Sequence, residues 1–263
     1  MYLQEFQKRE VYRIRGPRGQ PDNSMDNTRT EIKKIGLLGG LSWVSTADYY
    51  RRLNELTQQR LGGVASARIV MESLNRQAYV DAVIERRDEA AAGEMIVQAC
   101  TNLERAGAGF IVISCNDVHR FAPLIAARIS VPIMHIAEVV AAAIARQGLQ
   151  RVGLLGVMKT MESEFYPDIL NQHGIETLLP TPTDREYIHD SIYSELVNNQ
   201  FLDSTRVKYI EVINRLQASG AQGVILGCTE IPLMLRAEDV PLPSFASTEL
   251  HCVAAINHAL ESD

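Results

Sequence analysis

From Lys34 onward, short apolar runs alternate with longer stretches in which apolar residues recur every three or four positions. The runs Lys34–Leu38, Arg68–Glu72, Phe110–Ser114, Pro132–Ile136, Val152–Leu155, Glu176–Leu179 and Val224–Gly227 predict strands. Between them Ser45–Arg60, Arg87–Ala106, Ala137–Arg146, Glu162–Gln172, Glu186–Asn198 and Ser204–Ser219 predict amphipathic helices. A strand that is apolar on both faces must be covered on both, so strands alternating with helices imply an α/β fold built on parallel sheet. Residues 1–30 break the pattern: they are polar, contain Gly16, Pro17, Gly19 and Pro21, and carry no period. They predict a disordered tail, or an over-long reading frame whose true start is Met25.

The pattern also repeats. Lys34-Ile-Gly-Leu-Leu-Gly-Gly40 resembles Arg151-Val-Gly-Leu-Leu-Gly-Val157, and the stretch around Ser114-Cys-Asn-Asp117 resembles Gly227-Cys-Thr-Glu230. Lys34 and Arg151 are 117 positions apart and Cys115 and Cys228 are 113 apart. A near-constant offset predicts two similar α/β halves. The expected division is a first domain of residues 31–136 plus 246–263 carrying Cys115, and a second of 137–245 carrying Cys228. Each half ends an apolar strand on a cysteine. Ligands of open α/β sheets bind at the carboxyl ends of strands, so both thiols are expected to face one interdomain cleft.

Charge and cysteine usage narrow the class. A net charge of −6 argues against a nucleic-acid partner, which calls for a basic face. No apolar run reaches the roughly 18 residues of a membrane span, and no secretory signal is visible, so the expected compartment is the cytoplasm. The four cysteines, Cys100, Cys115, Cys228 and Cys252, form no C-x-x-C pair, which weakens zinc and dithiol redox readings. Cys100 and Cys252 sit among apolar helical neighbours and read as packing. His135, His173, His189, His251 and His258 show no metal-ligand spacing.

Cys115 and Cys228 are different because their setting is repeated. At a strand end, backbone N–H groups and a following helix can favour a thiolate. Two opposed thiols suit inversion of a chiral carbon: one removes a proton from one face while its partner delivers a proton to the other. His119, four residues after Cys115, either tunes that thiol or is simply polar at a helix start. Gly36-Leu-Leu-Gly-Gly40 lacks the spacing of a dinucleotide loop and reads as a tight turn that lets a ligand approach the backbone.

These residues carry a resemblance. The stretches Lys34-Ile-Gly-Leu-Leu-Gly-Gly-Leu-Ser-Trp43, Tyr49-Tyr50, Ser114-Cys-Asn-Asp-Val-His119, Thr160-Met-Glu-Ser-Glu-Phe-Tyr166 and Gly227-Cys-Thr-Glu-Ile231 resemble the aspartate/glutamate racemase superfamily over about residues 33–260. The resemblance implies an amino-acid racemase, with aspartate or glutamate as substrate and no pyridoxal phosphate or metal. It implies two Rossmann-like domains related by a pseudo-twofold axis, catalysis by Cys115 and Cys228, and a homodimer. It places the substrate α-carboxylate at Asn116 and puts Ser42, Asp117, Thr160 and Thr229 in the same pocket. Arg76 resembles the arginine that grips a distal carboxylate, a job for a bidentate guanidinium.

Four positions depart from the family's pattern. Asp117 stands where threonine is usual, Val44 and Ala246 where acids are common, and Asp168 where some aspartate racemases have a lysine. They bear on substrate rather than on the thiol pair. The competing functions are an isomerase acting on a neutral or basic amino acid, a hydantoin or maleate, and a catalytically idle two-lobed binding module. An acid beside the carboxylate pocket is awkward, since like charges ~4 Å apart repel by about 4 kcal/mol at an effective dielectric near 20. Three reliefs are open, a protonated Asp117, an Asp117 that turns away to bind the substrate ammonium, or a substrate that is not acidic, and the second is the one expected.

Overall fold

The computed structural model describes residues 32–261. The expectation for residues 1–30 lies outside them. Two parallel sheets organise the chain. In the first, β1 (Ile35–Gly39) is central, flanked by β2 (Ile69–Ser73) and β3 (Phe110–Ile113), with Leu38 opposite both Glu72 and Ile113. In the second, the order is β5 (Glu176–Leu178), β4 (Arg151–Leu155), β6 (Gly223–Leu226) and β7 (Ser244–Ala246), with Leu155 opposite Leu226. The repeat is thus real in space: β1 and β3 correspond to β4 and β6. Every residue of β1, β3 and β6 is buried, as parallel strands covered on both faces require.

The helices supply the cover. In chain order they are α1 (Trp43–Leu61), α2 (Arg76–Val80), α3 (Glu89–Arg105), α4 (Ala122–Ala126), α5 (Ile136–Arg146), α6 (Met158–Glu162), α7 (Phe165–Gln172), α8 (Pro182–Ser194), α9 (Asp203–Ala218), α10 (Ile231–Met234) and α11 (Ser247–Leu260). Ile96, Val97, Cys100 and Leu103 of α3 pack with Leu38, Ile111 and Ile113, while Cys252, Ala255 and Ile256 of α11 pack with Ile35, Leu37 and Val112. Cys100 and Cys252 are therefore core residues, and burial pushes both thiols up, that of Cys100 to about 12. Val140, Ala141 and Ile144 of α5 lie with Val152, Leu154 and Ile225 of the second sheet, and α9 covers the other face through Val212, Ile213 and Leu216.

Several elements differ from the sequence expectation, each for a local reason. Residues 132–136 are not a strand. Only Ile133 bridges β3, through Pro132 O accepting from Ile111 N and Met134 N donating to Ile111 O. Pro132 has no N–H to give, and His135 already caps α5 by accepting from Ala137 N. The helix expected over Glu162–Gln172 is two, α6 and α7, broken at Ser163, whose backbone is extended (ψ 150°). α8 begins earlier than expected, at Pro182, because Thr181 caps it and proline suits the first turn. The segment Arg76–Glu85, α2 running into a π-helical turn, was not foreseen: only Tyr79 and Ala82 in it are buried, too little for a visible stripe.

The glycine turn after β1 admits the chain itself rather than a ligand. Gly40 has φ +84°, and a Cβ there would overlap the backbone of Leu74. Its N–H donates to Thr46 Oγ1 (2.9 Å), and Thr46 in turn bonds Ser42 O and lies 3.2 Å from Ser114 Oγ. This knot fixes the start of α1 against the end of β3. It sets where Cys115 falls.

Candidate active site

Cys115 and Cys228 each lie two residues beyond their strand, β3 and β6, and line one cavity. Ser42, Arg76, Asn116, Asp117, Thr160 and Thr229 line it too, so all eight expected site residues meet in one place. Their states differ. Ser42 is the N-cap of α1, its Oγ accepting from Ser45 N (3.4 Å). The Asn116 side chain is taken up by the framework, Oδ1 accepting from Tyr166 OH (2.6 Å) and Nδ2 donating to Ser247 Oγ (3.0 Å). Thr160 is fully buried, and its Oγ1 has no hydrogen-bond partner among the described residues. A buried hydroxyl left open in this way is costly unless a ligand completes it. Arg76 has no carboxylate partner among the described residues; its guanidinium lies 5.3 Å from the centre of the Tyr193 ring.

Asp117 does not sit as a bare acid. Arg120 Nη1 approaches its Oδ1 at 2.5 Å, and Tyr79 OH donates to its Oδ2 at 2.9 Å. Arg120 also donates to Glu89 Oε2 (2.9 and 3.2 Å), and Lys159 Nζ lies 3.0 Å from Glu89 Oε1. The carboxylate is thus neutralised by a neighbour three residues on, a relief that the sequence expectation missed. Val44 and Ala246 do not line the cavity, and Asp168 lines a separate groove beside α4 and α7.

The second cysteine has its own acid. Glu230, 2% exposed, accepts from Cys228 Sγ (3.1 Å), Thr229 Oγ1 (2.8 Å) and Ser45 Oγ (3.2 Å). Its signal was visible in the repeat, where Cys115-Asn-Asp117 matches Cys228-Thr-Glu230 and each cysteine is followed two positions later by an acid. The geometry makes the two thiols unequal. Cys228 points its proton at Glu230, whereas Asp117 is turned to Arg120 and Tyr79.

Both thiols keep some surface open to the cavity yet are closely surrounded. Burial is the main influence on each. It pushes Cys115 up to about 12, Asp117 adding to the rise and the Val118 N–H opposing it. Burial, and then the Glu230 carboxylate, hold Cys228 well above the ordinary thiol range. Burial thus favours the protonated thiol at both positions, against the thiolate that the strand ends were expected to favour. The elements that follow are short, a five-residue 3₁₀ turn, Asp117–Phe121, after Cys115 and the four-residue α10 after Cys228, so little helix dipole offsets that burial. His119 lies in that turn, its Nδ1 2.9 Å from Cys115 O rather than from the thiol, and burial keeps it neutral.

The profile of the family described as Asp/Glu/Hydantoin racemase matches residues 38–255. The chain belongs to that family of isomerases. It is similar to the crystal structure of a putative Asp/Glu racemase from Yersinia pestis (TM-score 0.80, 39% identity, 87% of this chain and 100% of that one). It is also similar to an aspartate racemase homologue from Pyrococcus horikoshii OT3 (TM-score 0.75, 29% identity, 87% and 100%). By sequence it is 26% identical over 167 residues to the broad specificity amino-acid racemase RacX of Bacillus subtilis, covering 62% of this chain and 67% of that protein. No helix among the described residues is long and apolar enough to cross a membrane.

Proposed function

We propose that this protein is a cofactor-independent amino-acid racemase acting on aspartate or glutamate, with Cys115 and Cys228 as its two acid–base groups. The observation that carries the reading is the placement of the two thiols: equivalent strand ends of two repeated halves deliver them to one cavity. One thiol on each side of a bound α-carbon is what two-base inversion needs. An amino acid brings the missing activation with it. Its ammonium group adds positive charge beside two buried thiols, and a nearby positive charge favours the thiolate. Glu230 is in place to take the Cys228 proton. Arg76 supports an acidic side chain because it has no acid of its own among the described residues, and Arg120 offsets the repulsion that Asp117 would otherwise exert.

The test is α-deuterium incorporation in D2O across the L- and D-amino acids. Aspartate or glutamate should exchange and invert, and EDTA or hydroxylamine should leave the rate unchanged. Exchange confined to basic or neutral amino acids would move the substrate, and no exchange at all would end the racemase reading. The proposal includes a cytoplasmic homodimer. Four unpaired cysteines suit a reducing compartment, and Trp43 and Tyr50, seven residues apart on α1 and 71% and 52% exposed, offer apolar surface for a second copy. Sedimentation at micromolar concentration should give about twice the chain mass; a monomer would refute the dimer.

A further inference from the structure

We infer that Tyr193, on α8 of the second half, is a substrate-binding residue that joins Arg76 of the first half in gripping the substrate's distal carboxylate. The inference rests on the racemase reading for its substrate but not for its geometry. Tyr193 lines the thiol cavity and also the cleft next to it, which runs between Tyr79, Val80 and Lys159. Its ring lies under the Arg76 guanidinium, 5.3 Å from centroid to Cζ, a cation–π contact that joins the two sheets' halves. The ring is held from behind by His189, whose centroid is 4.8 Å away and whose Nδ1 accepts from Met158 N (3.2 Å).

The phenol itself is uncommitted. Tyr79 OH, Ser45 Oγ, Thr229 Oγ1 and Cys228 Sγ all have partners inside the protein, whereas Tyr193 OH makes no hydrogen bond among the described residues. Burial, and after it the charge of Asp117, push the phenol up to about 12, so it is a donor at neutral pH. A free donor and an unpaired guanidinium in contact fit one ligand well: a carboxylate, with one oxygen for each. Hydrogen bonds to charged groups are the stronger kind, so a carboxamide in the same place gains far less from the pair. Tyr193 thereby selects the dicarboxylic amino acid over its amide.

Tyr193→Phe tests this directly, because it keeps the ring under Arg76 and removes only the hydroxyl. For whichever of aspartate and glutamate the parent turns over, KM should rise about tenfold with kcat nearly unchanged. Any turnover of asparagine or glutamine should not move. Calorimetric titration with succinate and glutarate, which have no α-carbon to invert, reads the grip without turnover, and the variant should bind about tenfold more weakly. If no amino acid is racemised but this binding difference persists, the racemase reading fails and the grip stands. If Tyr193→Phe matches the parent in KM and diacid affinity, the inference is overturned. It is equally overturned if the parent neither binds a diacid nor turns over an acidic amino acid.

Discussion

Cys115→Ala and Cys228→Ala are each expected to lower racemisation by about 10²–10⁴-fold, the usual contribution of one general acid or base. Inversion needs a proton removed on one side and supplied on the other, so the remaining thiol cannot do the work of both. The fold should survive, because both side chains are only partly buried, bordering a cavity at the edge of their cores. Cys100→Ala and Cys252→Ala are the matched controls: they lie in the packing under α3 and α11 and should keep parental turnover. Racemisation followed by chiral chromatography, with circular dichroism to confirm folding, decides it. Parental turnover by Cys228→Ala would remove the two-thiol mechanism.

Arg120→Met is expected to cost about 3 kcal/mol of stability, the low end for removing one partner of a buried ion pair. The Asp117 and Arg120 side chains are only 10% and 12% exposed, and without the guanidinium Asp117 would retain Tyr79 OH alone. For a chain of this size the melting temperature should fall by roughly 6–12 °C. The double variant Asp117→Asn, Arg120→Met should recover most of the loss, since it buries no unpaired charge. Lys159→Ala makes a useful contrast. Its pair with Glu89 is 54% and 43% exposed, and pairs so exposed contribute less than about 1 kcal/mol. An Arg120→Met protein that melts with the parent would mean that Asp117 does not depend on the pair.

β1, β3, β4 and β6, and the cysteines beyond β3 and β6, were legible because each of these strands carries a continuous apolar run and is repeated. β7 was missed: Ser244, Phe245 and Ala246 present one large apolar residue, and the strand exists because Val224, Ile225 and Leu226 offer it an edge. The pocket's members were legible where a motif surrounds them, and illegible where distance in sequence hides the partner. Nothing local to Tyr193 indicates that Arg76, 117 positions earlier, will stack on it. Arg120 is three residues from Asp117, and the turn that joins them falls where a helix start was expected, but the spacing alone did not single out the pair. Glu230 was in view within Cys-Thr-Glu and simply lacked a role until its carboxylate was seen to gather three donors.

The contacts that cross between the halves are graded by depth. Near the thiols they are buried hydrogen bonds, Tyr166 to Asn116 and Ser45 to Glu230. Farther out they are the Arg76–Tyr193 stack and the exposed Lys159–Glu89 pair. Separating the outer pair of contacts costs about 1 kcal/mol each at most, whereas parting the inner ones strands buried polar groups. The two halves are therefore tied more firmly beside the thiols than at the rim, and added salt should weaken the exposed Lys159–Glu89 pair before it reaches the buried contacts beneath.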